Sequence, residues 1–321
     1  MPSQPPASRP AAVGIDVGGT KILGGVVDAD GAVLDSEQVP TPGDGAGTLA
    51  AIETLVAKLL ARNQGVVAVG VGAAGLVEWP GGRIRWAPHN AYRDLPLREV
   101  LAAATCLPVV VDNDANVAAW AESRFGAGHG ADDMVLLTIG TGIGTGLVLA
   151  GHVYRGSAGI GAELGHMIVD VDGAPCPCGN VGCLEAMASG STLGRLGREA
   201  AAADPGGRLA ALAAAAATPV TGEIVFAAAL EGDKAALGLF ERVGHWLGVG
   251  IASLVTIFDP DLVVVGGGVA ATGDLLLAPA RASFQRYVHG RGHRDLPPVV
   301  PTRLGDDAGL VGAASLALGR G

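Results

Sequence analysis

The chain has 321 residues, 49% hydrophobic and 16% charged, with 52 glycines, 4% aromatics, a formal net charge of −10 and a pI near 5.1. This length and apolar content allow one large or two medium domains with real cores, exclude a disordered chain, and describe a tightly folded α/β protein with alanine-built helices. The acidic balance excludes nucleic acid as a partner, because phosphate-backbone binding needs a basic surface to release counterions; an anionic ligand must be met locally, by glycine-rich backbone and magnesium.

In chain order, PSQPPASRP lacks the apolar stretch of a secretory signal and reads as a disordered tail, residues 1–12, on a cytoplasmic protein. VGIDVGGTK is a strand closed by a glycine turn. Asp16 ends the strand, and Gly18, Gly19, Thr20 and Lys21 form the turn. Exposed N–H groups there can cradle phosphate while the carboxylate holds a bridging magnesium, although a purely structural glycine turn is the alternative. ILGGVVDADGAVLDSEQV predicts a β-hairpin with Asp30-Gly31 at its tip. Thr48 to Arg62 repeats apolar residues at helical spacing, GVVAVGVGAAG is a buried strand, LPVVVDND is another, and Ala115 to Phe125 is a helix. The alternation indicates a lobe with a mixed sheet.

Asp112, Asn113, Asp114 and Asn116 cluster where the strand LPVVV yields to that helix, and side chains at such carboxyl ends point into the crevice of an open sheet. Helix capping needs one such residue and four are present. Asp114 is therefore a candidate base for a substrate hydroxyl, with Asn113 as a hydrogen-bonding partner.

The uncharged stretch Met134 to Tyr154 is long enough for a bilayer but carries five glycines in a T-G pattern, which reads as a second hairpin. Its turn, with Thr141 and Gly142 between Gly140 and Gly144, lacks the G-K-[ST] of a P-loop and offers N–H and hydroxyl donors. A duplicated fold follows, with one phosphate-handling hairpin in each lobe. Next come His166, Cys176, Cys178 and Cys183. Three thiolates and an imidazole at this spacing indicate one structural, tetrahedral zinc, the alternative being buried free thiols. Glu163 and Glu185 flank the ligands without being needed by the metal, so the cluster looks like the support of a polar binding site. Cys106 stands alone, which fits a reducing compartment. Between Gly156 and Glu231 the zinc segment and alanine-rich helices read as an insertion. A long helix from Lys234 to Phe258 and the strand Leu262 to Val265 follow. Gly266, Gly267 and Gly268 then offer either a third approach to a nucleotide or tight strand–helix packing. AGLVGAASLALG is a helix whose small-residue face suits packing against the first lobe.

IDVGGTK, GVGAAGLV, VVVDNDANVAAW, LTIGTGIGTGLVLAGHVYRGSAGIGAELGHM, CPCGNVGCLEAMASG, VVVGGGV and LGDDAGLVGAA, in order from Val13 to Ala314, resemble the ROK family of sugar kinases. The resemblance implies a two-lobed actin-like ATPase fold, hexokinase-type and ribonuclease H-like. The small lobe would be 13–112, completed by a C-terminal helix within 305–321, and the large lobe 113–304 with the zinc-binding insertion. It implies a hexose kinase with magnesium-ATP over the two glycine hairpins and Asp114 as catalytic base. ATP contacts would come from Asp16, Gly18, Gly19, Thr20, Lys21, Thr141, Gly142, Gly267 and Gly268. Sugar contacts fall on Asn113, Asp114, Glu163, His166 and Glu185, with His166 serving both metal and sugar. Gly75 falls on the backbone approach to the sugar, with Ala74 where the family has proline. In APHNAY, His89 takes the slot of the family's asparagine and Asn90 follows, so either could touch sugar.

Glucose is the default substrate implied. N-acetylmannosamine, N-acetylglucosamine, fructose or allose, and polyphosphate as donor, are alternatives, and a homodimer or homotetramer without membrane attachment is expected. The family also includes repressors with a winged-helix domain ahead of the core. A phosphate turn beginning at Asp16 leaves no room for one, and the intact Asp114 and turn glycines argue against a non-catalytic sensor.

Overall fold

The structure, a computed structural model, describes residues 10–87 and 93–319. Strands β1 (Ala11–Val17), β2 (Lys21–Asp28) and β3 (Val33–Pro40) form an antiparallel meander. At the predicted tip between β2 and β3, Asp28 Oδ1 accepts the N–H groups of Asp30 and Ala32, both at 2.9 Å, and Gly31 takes φ +84°. Helix α1 (Gly45–Arg62) is capped by Asp44 and buries Ile52, Leu55, Val56 and Leu59, the face expected from its periodicity. Strand β4 (Val66–Ala73) runs parallel to β1.

A small antiparallel sheet of β5 (Leu76–Val77), β6 (Ile84–Trp86) and β7 (Arg93–Leu95) follows. Strands of two or three residues carry no readable period, so the sequence did not announce them. Helix α2 (Leu97–Thr105) leads to β8 (Val109–Asn113), parallel to β4, and then to α3 (Asp114–Phe125). The first sheet has the order β3-β2-β1-β4-β8, with Val13, Ile15, Val69, Val71 and Val111 among its buried apolar residues.

The second sheet comprises β9 (Met134–Ile139), β10 (Ile143–Leu149), β11 (His152–Val153), β12 (Leu262–Gly266) and β13 (Val299–Pro301). Its order, β11-β10-β9-β12-β13, repeats the rank order of the first. Between β11 and β12 lie the metal-ligand loop and helices α4 (Leu184–Ala188), α5 (Gly190–Ala203), α6 (Arg208–Ala216), α7 (Gly222–Leu230) and α8 (Lys234–Phe258). Helix α9 (Asp274–Tyr287) connects β12 to β13, and α10 (Ala308–Ala317) ends the described chain. The two mixed sheets with helical crossovers are the actin-like fold expected from the resemblance.

Two compact units result, one of Met1–Met134, Gly146–Ala162 and Arg303–Gly321, the other of Val135–Thr145 and Glu163–Thr302. In the first, α10 lies backbone to backbone on its neighbours: a Cβ on Gly70 would stand 1.8 Å from Ala313 O, and one on Gly312 1.8 Å from Val117 O. Helix α3, which the sequence reading assigned to the second lobe, thus packs through Val117 within the first unit. The fully buried Glu122 of α3 accepts the backbone N–H groups of Ala127 (2.7 Å), Arg303 (3.0 Å) and Leu304 (2.8 Å), holding the segment that leads into α10. No helix among the described residues is long and apolar enough to cross a membrane.

Candidate functional site

The β1–β2 turn is closed by Gly18 N–H donating to Lys21 O at 3.0 Å, which leaves Gly19 and Thr20 exposed at its tip. Lys21 Nζ pairs with Asp306 at 2.8 Å. Asp16, one residue before the end of β1, has its carboxyl pushed up to about 7 by burial and by the Asp114 carboxylate, with Lys21 opposing. A carboxylate left so short of positive charge is a natural ligand for a divalent cation.

At the carboxyl end of β8, capping and candidate chemistry fall on different residues. Asn113 is the cap: its Oδ1 accepts the N–H groups of Ala115 (2.9 Å) and Asn116 (3.2 Å), and its Nδ2 donates to Gly75 O at 3.2 Å. Little of Asn113 remains for a ligand beyond one Nδ2 hydrogen. Asp114 Oδ1 accepts Ala115 N–H (2.9 Å), and burial pushes the carboxyl up against the hydrogen bonds it accepts. Gly75 takes φ +114°, and a Cβ there would stand 2.3 Å from Trp86 O, so only glycine fits this approach. Asn90 and His89 lie outside the described residues.

Asp112 is the buried anchor of this corner. Its Oδ1 accepts Asn113 N–H (2.8 Å) and Asn116 Nδ2 (3.0 Å), and its Oδ2 accepts Arg155 Nε (2.7 Å). The Arg155 guanidinium stacks 3.8 Å from the Trp79 ring centre, donates to Val153 O, and keeps Nη2 buried without a partner among the described residues. Asp112 was noticed in the sequence only as a neighbour of Asp114. Arg155 and Trp79 were missed, since nothing local marks two residues this far apart as partners.

The second unit gathers His166, Cys176, Cys178 and Cys183 so that their ligand atoms all lie within 4.8 Å of one another. Cys176 Sγ is 3.6 Å from His166 Nδ1, and Cys178 Sγ is 3.6 Å from Cys183 Sγ. A tetrahedral zinc with bonds of about 2.3 Å to sulfur and about 2.0 Å to nitrogen needs separations of roughly 3.5–3.8 Å. The donor set fits zinc. Burial pushes the Cys176 thiol up to about 12, so such closely packed thiols need a cation to ionise together. With Nδ1 turned to the cysteines, Nε2 is the ring atom left for a ligand.

Glu185 sits beside the cluster, Oε1 3.8 Å from Cys176 Sγ, while its Oε2 accepts Ile143 N–H at 2.9 Å. A Cβ on Gly142 would fall 2.2 Å from that same Oε2, which is why glycine stands there. Glu163, by contrast, is exposed, one turn before His166.

Thr141 and Gly268 line a cavity of about 550 Å³ in this unit, together with Gly140, Gly190 and Ser191; Arg198, Thr221, Glu223 and Phe226 complete much of the wall. Gly267, at φ +85°, brings the turn after β12 against the end of β9, where Val269 N–H donates to Ile139 O at 3.0 Å. The contributions of α5 and α7 were missed, because alanine-rich helices give no sign of which end faces a ligand. Thr221, the N-cap of α7, was the one local cue.

The chain matches the ROK family over residues 12–320. It is 41% identical to a glucokinase of Streptomyces coelicolor, over 95% of this chain and 96% of that protein. It is 35% identical to an N-acetylmannosamine kinase of Escherichia coli O157:H7, over 95% of this chain and 97% of that one. The crystal structure of a ROK family glucokinase from Streptomyces griseus in complex with glucose and AMPPNP aligns with a TM-score of 0.87 and 42% identity, covering 96% of this chain and 99% of that one. Matched by the family over residues 12–320, and similar to these relatives in fold and over nearly the whole length, the chain belongs to the ROK family.

Proposed function

We propose that this protein is an ATP-dependent glucokinase, transferring the γ-phosphate of magnesium-ATP to the 6-hydroxyl of glucose. Asp114 carries the reading: a buried carboxylate at a strand end, raised above the ordinary aspartate range by burial, with the capping of the helix delegated to Asn113. Such a group suits removal of a hydroxyl proton as the oxygen attacks phosphorus in line. Asp16 would hold magnesium and the N–H groups of Gly18 to Lys21 the phosphates, with Thr141 and Gly142 as further donors. The cavity by Gly268 has the size for the nucleoside.

Gly75, Asn113, Glu163, His166 and Glu185 would hold the sugar hydroxyls, His166 through Nε2. A zinc held by the three cysteines and His166 would leave no open position for water or phosphate and would serve to orient His166 and the loop before Glu185. Polar positioning of this kind supplies most of the catalysis in phosphoryl transfer.

Glucose as the acceptor is supported by the glucokinases among the relatives. A coupled ADP-release screen of the purified protein against hexoses, with ATP and with polyphosphate, tests the reading. Glucose with magnesium-ATP should give the fastest turnover, and none without magnesium. Turnover with N-acetylmannosamine and none with glucose would keep the kinase and overturn the sugar.

A further inference from the structure

The Gly140–Ile143 turn is tied to the segment that follows the cysteine cluster. Gly190 N–H donates to Gly140 O at 2.8 Å, Ser191 N–H to Thr141 O at 3.4 Å, and Ile143 N–H to Glu185 Oε2 at 2.9 Å. The segment that carries His166 grips the same hairpin. Leu164 N–H donates to Thr145 Oγ1 at 3.0 Å, and a Cβ on Gly165 would stand 2.2 Å from Ile143 O. These two gripping segments are the two ends of the metal-ligand loop, and Gly140, Thr141, Gly190 and Ser191 are also cavity wall.

The loop is paired across its base by backbone, Leu184 N–H donating to Met167 O at 2.9 Å and Val169 N–H to Gly182 O at 2.8 Å, but large side chains add little to it. Ile168, Val171 and Val181 are 51%, 79% and 43% exposed, so the larger apolar side chains of the loop face outward instead of forming a core. Backbone bonds such as Cys176 N–H to Asn180 O and Gly182 N–H to Ala174 O, both 2.8 Å, shape its turns locally. A metal held by all four side chains would reinforce this backbone pairing with a side-chain tie between His166 and Cys183, two residues before Glu185.

From this connectivity we infer that the Cys₃His module is a clamp on the nucleotide side of the reaction: with metal bound it sets the 140–143 turn through Glu185, a positioning residue, so that losing the metal weakens nucleotide binding even when no sugar is present. The inference rests on the kinase reading and goes beyond it, since that reading links the metal to the sugar alone. Glu185 then couples the two substrates, Oε2 committed to the donor turn and Oε1, 3.8 Å from Cys176 Sγ, left to meet the acceptor.

The test is titration of the full-length protein with magnesium-AMPPNP by calorimetry, without sugar. Four samples are compared: parent and Glu185→Ala, each zinc-loaded and each stripped by a chelator under reducing conditions, with circular dichroism to confirm folding. Loss of one charge-assisted hydrogen bond should weaken AMPPNP roughly tenfold in the stripped parent and in loaded Glu185→Ala. Stripping Glu185→Ala should then add little, because the link is already cut. A folded, stripped parent that binds AMPPNP like the loaded one overturns the inference, and so do two losses that simply add. Should the stripped proteins unfold, unchanged AMPPNP affinity in loaded Glu185→Ala overturns it alone. A loaded parent that binds no AMPPNP refutes the kinase reading instead.

Discussion

Replacing Asp16 by Asn should abolish a pH dependence of stability that this one side chain imposes. Its carboxyl is raised from an ordinary 3.8 to about 7, first by burial and then by Asp114, with Lys21 opposing. The folded chain therefore binds the proton more tightly than the unfolded one. The contribution of Asp16 is fully favourable below about pH 4 and is lost as pH rises toward 7. A rise of about 3 units at about 1.36 kcal/mol each sets the swing near 4 kcal/mol, and the partial solvent access of the side chain makes this an upper bound. Parent and Asp16→Asn should have similar stability near pH 4, with the Asn protein gaining up to about 4 kcal/mol, or roughly 6 °C in Tm, near pH 8. Urea unfolding at intervals from pH 4 to 8, without nucleotide or divalent cation, measures this, and other titrating groups largely cancel in the difference. Magnesium-nucleotide should stabilise the parent more than the variant at pH 8, and the variant should lose turnover, as expected of strain kept for function. A stability difference that stays flat from pH 4 to 8 refutes the reasoning.

Three further outcomes are expected. Asp114→Asn should lower kcat by roughly two to four orders of magnitude while glucose still binds, and near-normal turnover would mean that the aspartate only supports the helix start; the raised carboxyl should also put the acidic limb of the parent's pH–rate profile above the ordinary aspartate range. Cys178→Ala should carry no zinc by metal analysis, against one per chain in the parent, and bind glucose more weakly; a zinc-free protein with parental glucose affinity contradicts this. Arg155→Met leaves Asp112 buried and unpaired and should cost about 3–5 kcal/mol in urea unfolding, whereas Asp112→Asn combined with Arg155→Met should recover most of it. A double variant no more stable than the single one would show that the pair is not the source of the loss.

How much of the site was legible depended on how far apart in the chain its parts lie. The glycine turn at Gly18 to Lys21, the Asp30-Gly31 hairpin tip, where Gly31 takes φ +84°, and the acids at the β8–α3 junction are local signals. The four metal ligands lie within one short segment, so their spacing restricts which geometry can hold them. Division of labour between Asn113 and Asp114 was not legible, because either residue type can cap a helix. It took the hydrogen bonds of Asn113 to Ala115, Asn116 and Gly75 to separate them.

The sequence by itself determined the fold class and the family, and it singled out the cysteine–histidine cluster and the candidate base, all of which rest on contiguous patterns. Only the tertiary structure decided what surrounds them. Burial beside Asp114 raises Asp16, a property of a folded environment and not of a residue type. The cavity of about 550 Å³ draws its wall from Thr141, Ser191, Thr221 and Gly268, brought together by packing of α5 and α7. The bond from Ile143 to Glu185 joins the glycine hairpin to the metal loop across 42 positions of chain. Contacts over such separations depend on how the elements pack, and helix or strand periodicity carries no record of them.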